Sequence, residues 1–363
     1  MKMQRIKSVD VLRGFSIWIM VYGHMLQFWI RPEDYWLKFW LYAFLAPIGA
    51  TGFLFISGVS ATLAYRNNLQ TLKVMIKTMR NTYLLRAIFI LIIALFFNLG
   101  VVLVFGGDFA DVWSWNALQT IGISLLLAWP LLKTSKRVRL IVASLAIIFN
   151  QVLLITLTPY HGQFNVLGVA YHILFNPIDT YVILNYYGVL LIGSVMGDYI
   201  YDLKNGSQLY NKEFLFKNKA IINSLLIGIA ITFFGILFFY PNFIFFNTIS
   251  SVLYALGFII AFLAVLIVIE ILELIKTKKS HRFLYFYSYY SFTLFLGHNI
   301  LLILFIDQLN AYLTIWIVVA AFNVMLILML KIMHDKLGIR ASVKAGISIL
   351  SGLIALKIEK KNG

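Results

Sequence analysis

The chain contains no cysteine, which removes disulfides, thiolate nucleophiles and cysteine-ligated metal centres from its chemistry. Charge is nearly as scarce. Only 12% of the 363 residues are Asp, Glu, Lys or Arg, and the 14 acids are outnumbered by 30 bases. Apolar side chains fill the space instead, at 61% of the chain, well outside the composition of soluble domains. No secretory cleavage pattern is visible either. The first apolar run is too long and carries Asp10 and Arg13, so it reads as a mature span.

A net charge of +16 could suggest a nucleic-acid partner, but the placement of the bases argues for a lipid bilayer. All but Arg13, Arg31 and Lys38 fall in clusters between alternate apolar runs, from Lys2–Lys7 and Arg66–Arg86 down to Lys331–Lys344 and Lys357–Lys361. The loops between those clusters hold only Arg31 and Lys38, against Glu33, Asp34, Asp108, Asp111, Asp179 and Asp307. This is the positive-inside pattern repeated along the chain. It predicts an all-α polytopic membrane protein of about ten transmembrane helices with both termini cytoplasmic, in a plasma or inner membrane of prokaryotic type. The spans fall near 9–30, 41–65, 84–105, 116–133, 139–158, 180–201, 219–240, 244–271, 283–306 and 311–333, most of them long enough to cross about 30 Å of hydrocarbon. Residues 1–344 read as one bundle, and 345–363 as an interfacial apolar segment with a basic tail. Nothing in the pattern fixes the oligomeric state, and an oligomer is compatible with it.

Charged side chains inside a membrane are costly and usually functional. In the first span Arg13 and His24 are eleven residues apart, so they differ by only about 20° around the helix axis, with Asp10 and Gln27 within about 60° of the same stripe. Asp10 and Arg13, at i and i+3, are spaced to pair. A snorkelling pair at the membrane boundary would explain them equally. His298, in YSYYSFTLFLGHNILL, is about fifteen residues into its span, as His24 is, so a straight helix sets both roughly 22 Å from the cytoplasmic side. Tyr287 and Ser291 would share the face of His298. Asn98, Asn116 and Gln119 reach the same outer level. That set, Asn98, Asn116, Gln119, Tyr287 and Ser291, is the candidate acceptor-binding group around His24 and His298. Arg13 with the basic loop, through Arg66, Lys73, Lys77, Arg80 and Arg86, is the candidate anion site on the cytoplasmic side. Helix two is rich in small residues (Gly49, Gly52, Ser57, Gly58, Ala61), which suits close packing or a narrow slot. The external segment 159–179, with His161, His172 and Asp179, reads as a surface-lying loop or as a lid.

These motifs resemble those of the membrane-integral acyltransferases of family three and the related heparan-alpha-glucosaminide N-acetyltransferases. Asp10, Arg13, Gly14 and His24 are similar to the D-x-x-R-G/A…H signature, with the same Arg-to-His spacing. FLFISG (53–58) resembles the second-helix element, MRNTYLLR the segment before helix three, and NALQTIG the L-Q-x-I/L-G element of the heparan branch. YSFTLFLGH resembles the late S-x-x-x-Y-x-x-H element, with Phe295 at the tyrosine position. In the heparan branch the resemblance sets an asparagine at the position of His24 and a histidine where this chain has Tyr35. The resemblance implies an acyl-CoA donor, acetyl-CoA in the first instance, entering from the cytoplasm. It also implies an extracytoplasmic sugar or glycan acceptor and an essential first-helix histidine.

Acyl transfer from a thioester suits these residues on chemical grounds too. A histidine deprotonates the acceptor near neutral pH, neutral donors or a second histidine stabilise the oxyanion, and arginines hold phosphates. His24, His298, Asp10 and Arg13 form the catalytic set, with no metal and no tightly bound cofactor. Direct transfer with His24 as base is the first reading, and an acyl-His24 intermediate the alternative. Two other classes remain open at this stage: a solute or proton-coupled transporter and a haem protein using both histidines as axial ligands.

Overall fold

The computed structural model describes residues 6–71, 76–177, 181–205, 219–238, 243–244, 247–274 and 282–362. The protein is an all-α polytopic membrane protein. Among the described residues the only extended pairing is an isolated bridge between Ile30 and Leu309. Thirteen α-helices are described: α1 (Lys7–Trp29), α2 (Tyr35–Thr71), α3 (Ile76–Phe105), α4 (Ala117–Leu131), α5 (Lys136–Leu157), α6 (Val166–Phe175), α7 (Ile183–Asn205), α8 (Lys219–Leu237), α9 (Ile249–Ile271), α10 (Arg282–Tyr289), α11 (Ser291–Leu302), α12 (Thr314–Lys336) and α13 (Val343–Asn362).

Each of the ten segments expected to cross the membrane falls on a described helix, except 283–306, which falls on two. Six helices, α2, α3, α5, α7, α9 and α12, are long and apolar enough by themselves, or seven spans if the bent pair α10–α11 counts as one. The other three are α1, whose Arg13, His24 and Gln27 lower its hydropathy, and the shorter apolar helices α4 and α8.

Helix α1 lies at the centre and packs against α2, α9, α10, α11 and α12. Its own sequence offers no N-cap, since Ile6 stands at that position. The free amides of the first turn are met from another helix instead: Lys7 N and Ser8 N donate to the two carboxylate oxygens of Glu270, at 3.0 and 2.7 Å. A carboxylate there satisfies two orphan donors and complements the positive helix end. At the outer end Trp29 Nε1 donates to Leu302 O at 3.0 Å, and Asp34 accepts from Arg31 Nε and Ala311 N.

Small residues set the helix spacing. A Cβ on Gly14 would lie 2.0 Å from Leu284 O of α10, and one on Gly58 would lie 1.9 Å from Leu190 O of α7. Close backbone approach of this kind is how helices associate where lipid supplies no hydrophobic drive. Helix two therefore uses its small residues both ways: Gly52 and Gly58 for contact, Ser57 and Ala61 to line a cavity described below.

The segment 283–306 departs from the straight span expected of it. Helices α10 and α11 meet at 96° on either side of Tyr290. Neither glycine nor proline stands there. Tyr290 is instead anchored sideways, its hydroxyl donating to Gly338 O at 2.9 Å beyond α12. The shared helical face expected for Tyr287, Ser291 and His298 is consequently broken. The external segment 159–179 contains α6, which is tied to the 106–115 loop by Trp113 Nε1 and Trp115 Nε1, both donating to Ile173 O. His172 Nε2 lies 3.1 Å from Ala110 O, and Asp179 lies outside the described residues.

Candidate active site

His24 and His298 meet directly. His24 Nδ1 lies 2.9 Å from His298 Nε2, with the rings stacked at 24° and 5.1 Å between centroids. The other nitrogen of His298, Nδ1, lies 2.9 Å from Leu294 O, one helical turn back on α11. A carbonyl only accepts, so Nδ1 of His298 carries its hydrogen and Nε2 of the neutral ring is an acceptor. His24 Nδ1 must then donate, which leaves Nε2 of neutral His24 with an unshared pair. Leu294 O, His298 and His24 thus form an orienting chain that ends on a basic nitrogen. If that nitrogen gains a proton, the bond from His24 Nδ1 to His298 becomes charge-assisted and stronger. The direct contact also leaves no space for a porphyrin between the rings, which argues against the axial-ligand reading.

His298 is buried and His24 half-buried. His24 lines a small outer pocket with Gly23, Gln27, Leu45, Gly49 and Tyr181. A Cβ on Gly23 would meet nothing within 4 Å, so the pocket wall is open at that point.

About three turns back along α1, Arg13 borders a cavity of about 220 Å³. Its guanidinium is held firmly: Nη1 reaches Asp10 Oδ1 at 3.0 Å and Ser288 Oγ at 3.3 Å, and Nη2 reaches Ser60 Oγ at 2.5 Å. The expected i,i+3 pair is therefore present, and it fixes the rotamer of the arginine. Arg86 of α3 and Lys344 of α13 also line the cavity, with Phe53, Ile90 and Leu118 among its apolar walls. Arg86 makes no side-chain hydrogen bond or ion pair among the described residues. Tyr83 lines the same space, and its buried hydroxyl has no hydrogen-bond partner among the described residues. Ser291 is at its edge.

The other candidate residues go elsewhere. Arg66 is paired with Asp198 of α7 at 2.6 Å, and that carboxylate also receives the fully buried Arg139 of α5. Lys77 and Arg80 are exposed, Arg80 reaching only Asn81 at 3.4 Å. Lys73 lies outside the described residues. Asn98, Asn116 and Gln119 bind one another: Asn98 Nδ2 donates to Gln119 Oε1 at 3.0 Å and to Val112 O and Ser114 O, and Asn116 Nδ2 donates to Asn98 Oδ1 at 2.5 Å. Asn116 also caps α4 through Gln119 N. Together they tie α3 to the 106–115 loop, and Gln119 Nε2 is buried without a partner among the described residues. Tyr287 is buried with its hydroxyl unpartnered.

Sequence reasoning missed Ser60, Tyr83, Ser288 and Lys344. Serines and a tyrosine in apolar helices give no separate signal. Lys344 was absorbed into the positive-inside pattern, which accounts for a cytoplasmic lysine without assigning it a contact.

A family model described as heparan-alpha-glucosaminide N-acetyltransferase, catalytic, matches residues 5–220. No curated protein matches the chain. The matched stretch carries Asp10, Arg13, His24 and Arg86 and stops before His298 and Lys344.

Proposed function

Because the chain belongs to the heparan-alpha-glucosaminide N-acetyltransferase catalytic family, a family of membrane acetyltransferases, we propose that it moves an acyl group, acetyl first of all, from cytoplasmic acyl-CoA to a hydroxyl or amine of an extracytoplasmic glycan. The observation that carries the reading is the oriented basic nitrogen of His24 on the same helix as a cation-lined cavity. Arg13 and His24 are eleven residues apart, or about 16 Å along the axis. The pantetheine arm of coenzyme A runs about thirteen bonds from its phosphorus to its sulfur. At about 1.2 Å per bond for an extended chain, that is about 16 Å. Phosphates held near Arg13 and Arg86 would thus bring the thioester to the level of the histidines.

In the reaction the acceptor oxygen or nitrogen attacks the thioester carbonyl while His24 Nε2 takes its proton. The tetrahedral oxyanion collapses, the carbon–sulfur bond breaks, and the thiolate of CoA recovers the proton from His24. His298 positions the base and stabilises its imidazolium. Asp10 orients Arg13.

The test is release of free CoA thiol from acetyl-CoA by the purified protein in lipid nanodiscs, with amino- and hydroxy-sugars as acceptors. His24→Ala should lose about 10²–10⁴-fold in transfer and keep both its thermal stability and its CoA affinity. Near-normal transfer by His24→Ala would sink the mechanism. The sidedness is tested separately, since a chain without cysteine accepts single reporters. Cysteines at 33, 109, 163 and 308 should react with an impermeant reagent on intact cells, and those at 70, 136 and 278 should not.

A further inference from the structure

The donor cavity is not closed by the part of the chain that carries the family match. Its remaining wall comes from Ser291 and Phe292 of α11 and from α13, more than a hundred residues beyond the match, which packs along α3 and touches α11. Lys344 and Ile347, one turn apart at the start of α13, both line the cavity. We propose that Lys344 is a third phosphate-binding residue of the donor site and that α13 is the element that completes it.

The start of α13 is held in position rather than draped over the surface. Thr293 Oγ1 of α11 donates to Ala341 O at 3.0 Å and accepts from Val343 N at 3.1 Å. Ser342 Oγ donates to Tyr289 O at 3.3 Å, and Tyr290 hydroxyl donates to Gly338 O at 2.9 Å. These bonds pin residues 338–343 onto the break between α10 and α11. The same break supplies Ser288, which fixes Arg13. One structural joint therefore sets two of the three cations.

The chemistry of the space fits a phosphate ester on an apolar stem. Arg13, Arg86 and Lys344 supply positive charge, and none of the lining residues is acidic. The buried, unpartnered hydroxyl of Tyr83 offers a neutral donor among them. Ile90, Leu118 and Ile347 line the remainder, which suits a thin uncharged chain.

This inference rests on the acyl-CoA reading, so its test uses two thioesters that differ only in carrying phosphate. The full-length protein in nanodiscs is assayed with acetyl-CoA and with S-acetylpantetheine. Lys344→Gln should raise the KM for acetyl-CoA roughly tenfold, the lower end for a lost charge-assisted contact, and leave S-acetylpantetheine unchanged. Lys344→Arg should restore most of the loss. Unfolding curves of both variants should match the parent. Equal loss with both thioesters would mean that Lys344 only shapes the wall, and the proposal falls. No loss with either would mean that the lysine faces a lipid headgroup, and the proposal falls as well. If the parent protein uses neither thioester and binds no CoA, the acyl-CoA reading fails and takes this one with it. Normal use of acetyl-CoA by an unaffected Lys344→Gln would overturn this inference alone.

Discussion

Two arginine clusters border α2 toward its C-terminal end, and they are built to opposite ends. In one, Asp198 accepts from both Arg66 and Arg139, and Ser194 takes further bonds from Arg139 through its hydroxyl and carbonyl at 3.1 and 3.2 Å. Arg139 and Asp198 are wholly shielded from solvent. In the other, Arg13 is oriented mainly by serine hydroxyls and by Asp10, and it shares an open cavity with Arg86 and Lys344. The same residue type thus does two jobs. Where a carboxylate is buried between guanidiniums, the charge is spent on joining α2, α5 and α7. Where the arginine is held by one carboxylate and two serines beside Arg86, which makes no ion pair among the described residues, the cavity keeps positive charge for a ligand.

Substitutions should separate the two clusters cleanly. The largest stability effect should come from Asp198→Ala, which strands a buried guanidinium; loss of one partner of a buried pair costs about 3–5 kcal/mol. Chemical unfolding in nanodiscs reads that loss, and the fraction that stays folded should bind CoA normally. Arg86→Ala should behave in reverse. Its stability should be close to that of the parent, while CoA affinity falls roughly ten- to a hundredfold, or about 1.5–3 kcal/mol. Isothermal titration with CoA measures it, and an unchanged affinity would merge the two clusters into one structural class. The smallest effects should follow Lys77→Ala and Arg80→Ala, exposed on α3, each within about 0.5 kcal/mol in stability and without effect on CoA binding. A loss at Arg80 equal to that at Arg86 would show that the whole basic loop attracts the donor and that the cavity has no special part in it.

Much of the first helix was legible because a helix converts spacing into direction. Asp10, Arg13 and His24 fall on one stripe by arithmetic alone, and the contacts of Arg13 and His24 follow it. The partnership of His24 with His298 was also legible, although the path to it was not. A straight helix through 283–306 gives the right level for His298 by the wrong geometry, because the chain turns through 96° at Tyr290. At that turn Tyr290 is bonded to Gly338, a residue of another segment, and no local pattern announces the contact. Lys344 was hidden for a similar reason. Its neighbours in sequence are those of a membrane-surface segment, whereas in space it lines the same cavity as Arg13 and Arg86. The asparagines at 98 and 116 illustrate the converse. Their depth could be read, but whether an amide faces a ligand or another amide depends on where the 106–115 loop folds back.

The cap on α1 bears on how the protein is made. The helix that carries Asp10, Arg13 and His24 leaves the ribosome long before its cap does, since the carboxylate that holds its leading turn is Glu270, some 260 residues later. Until that stretch has been synthesised and inserted, the first helix has polar side chains and open amides without their final partners. Its seating in the bundle is therefore a late, post-insertion event, and a nascent chain arrested before Glu270 should still present Lys7 and Ser8 amides to rapid hydrogen exchange.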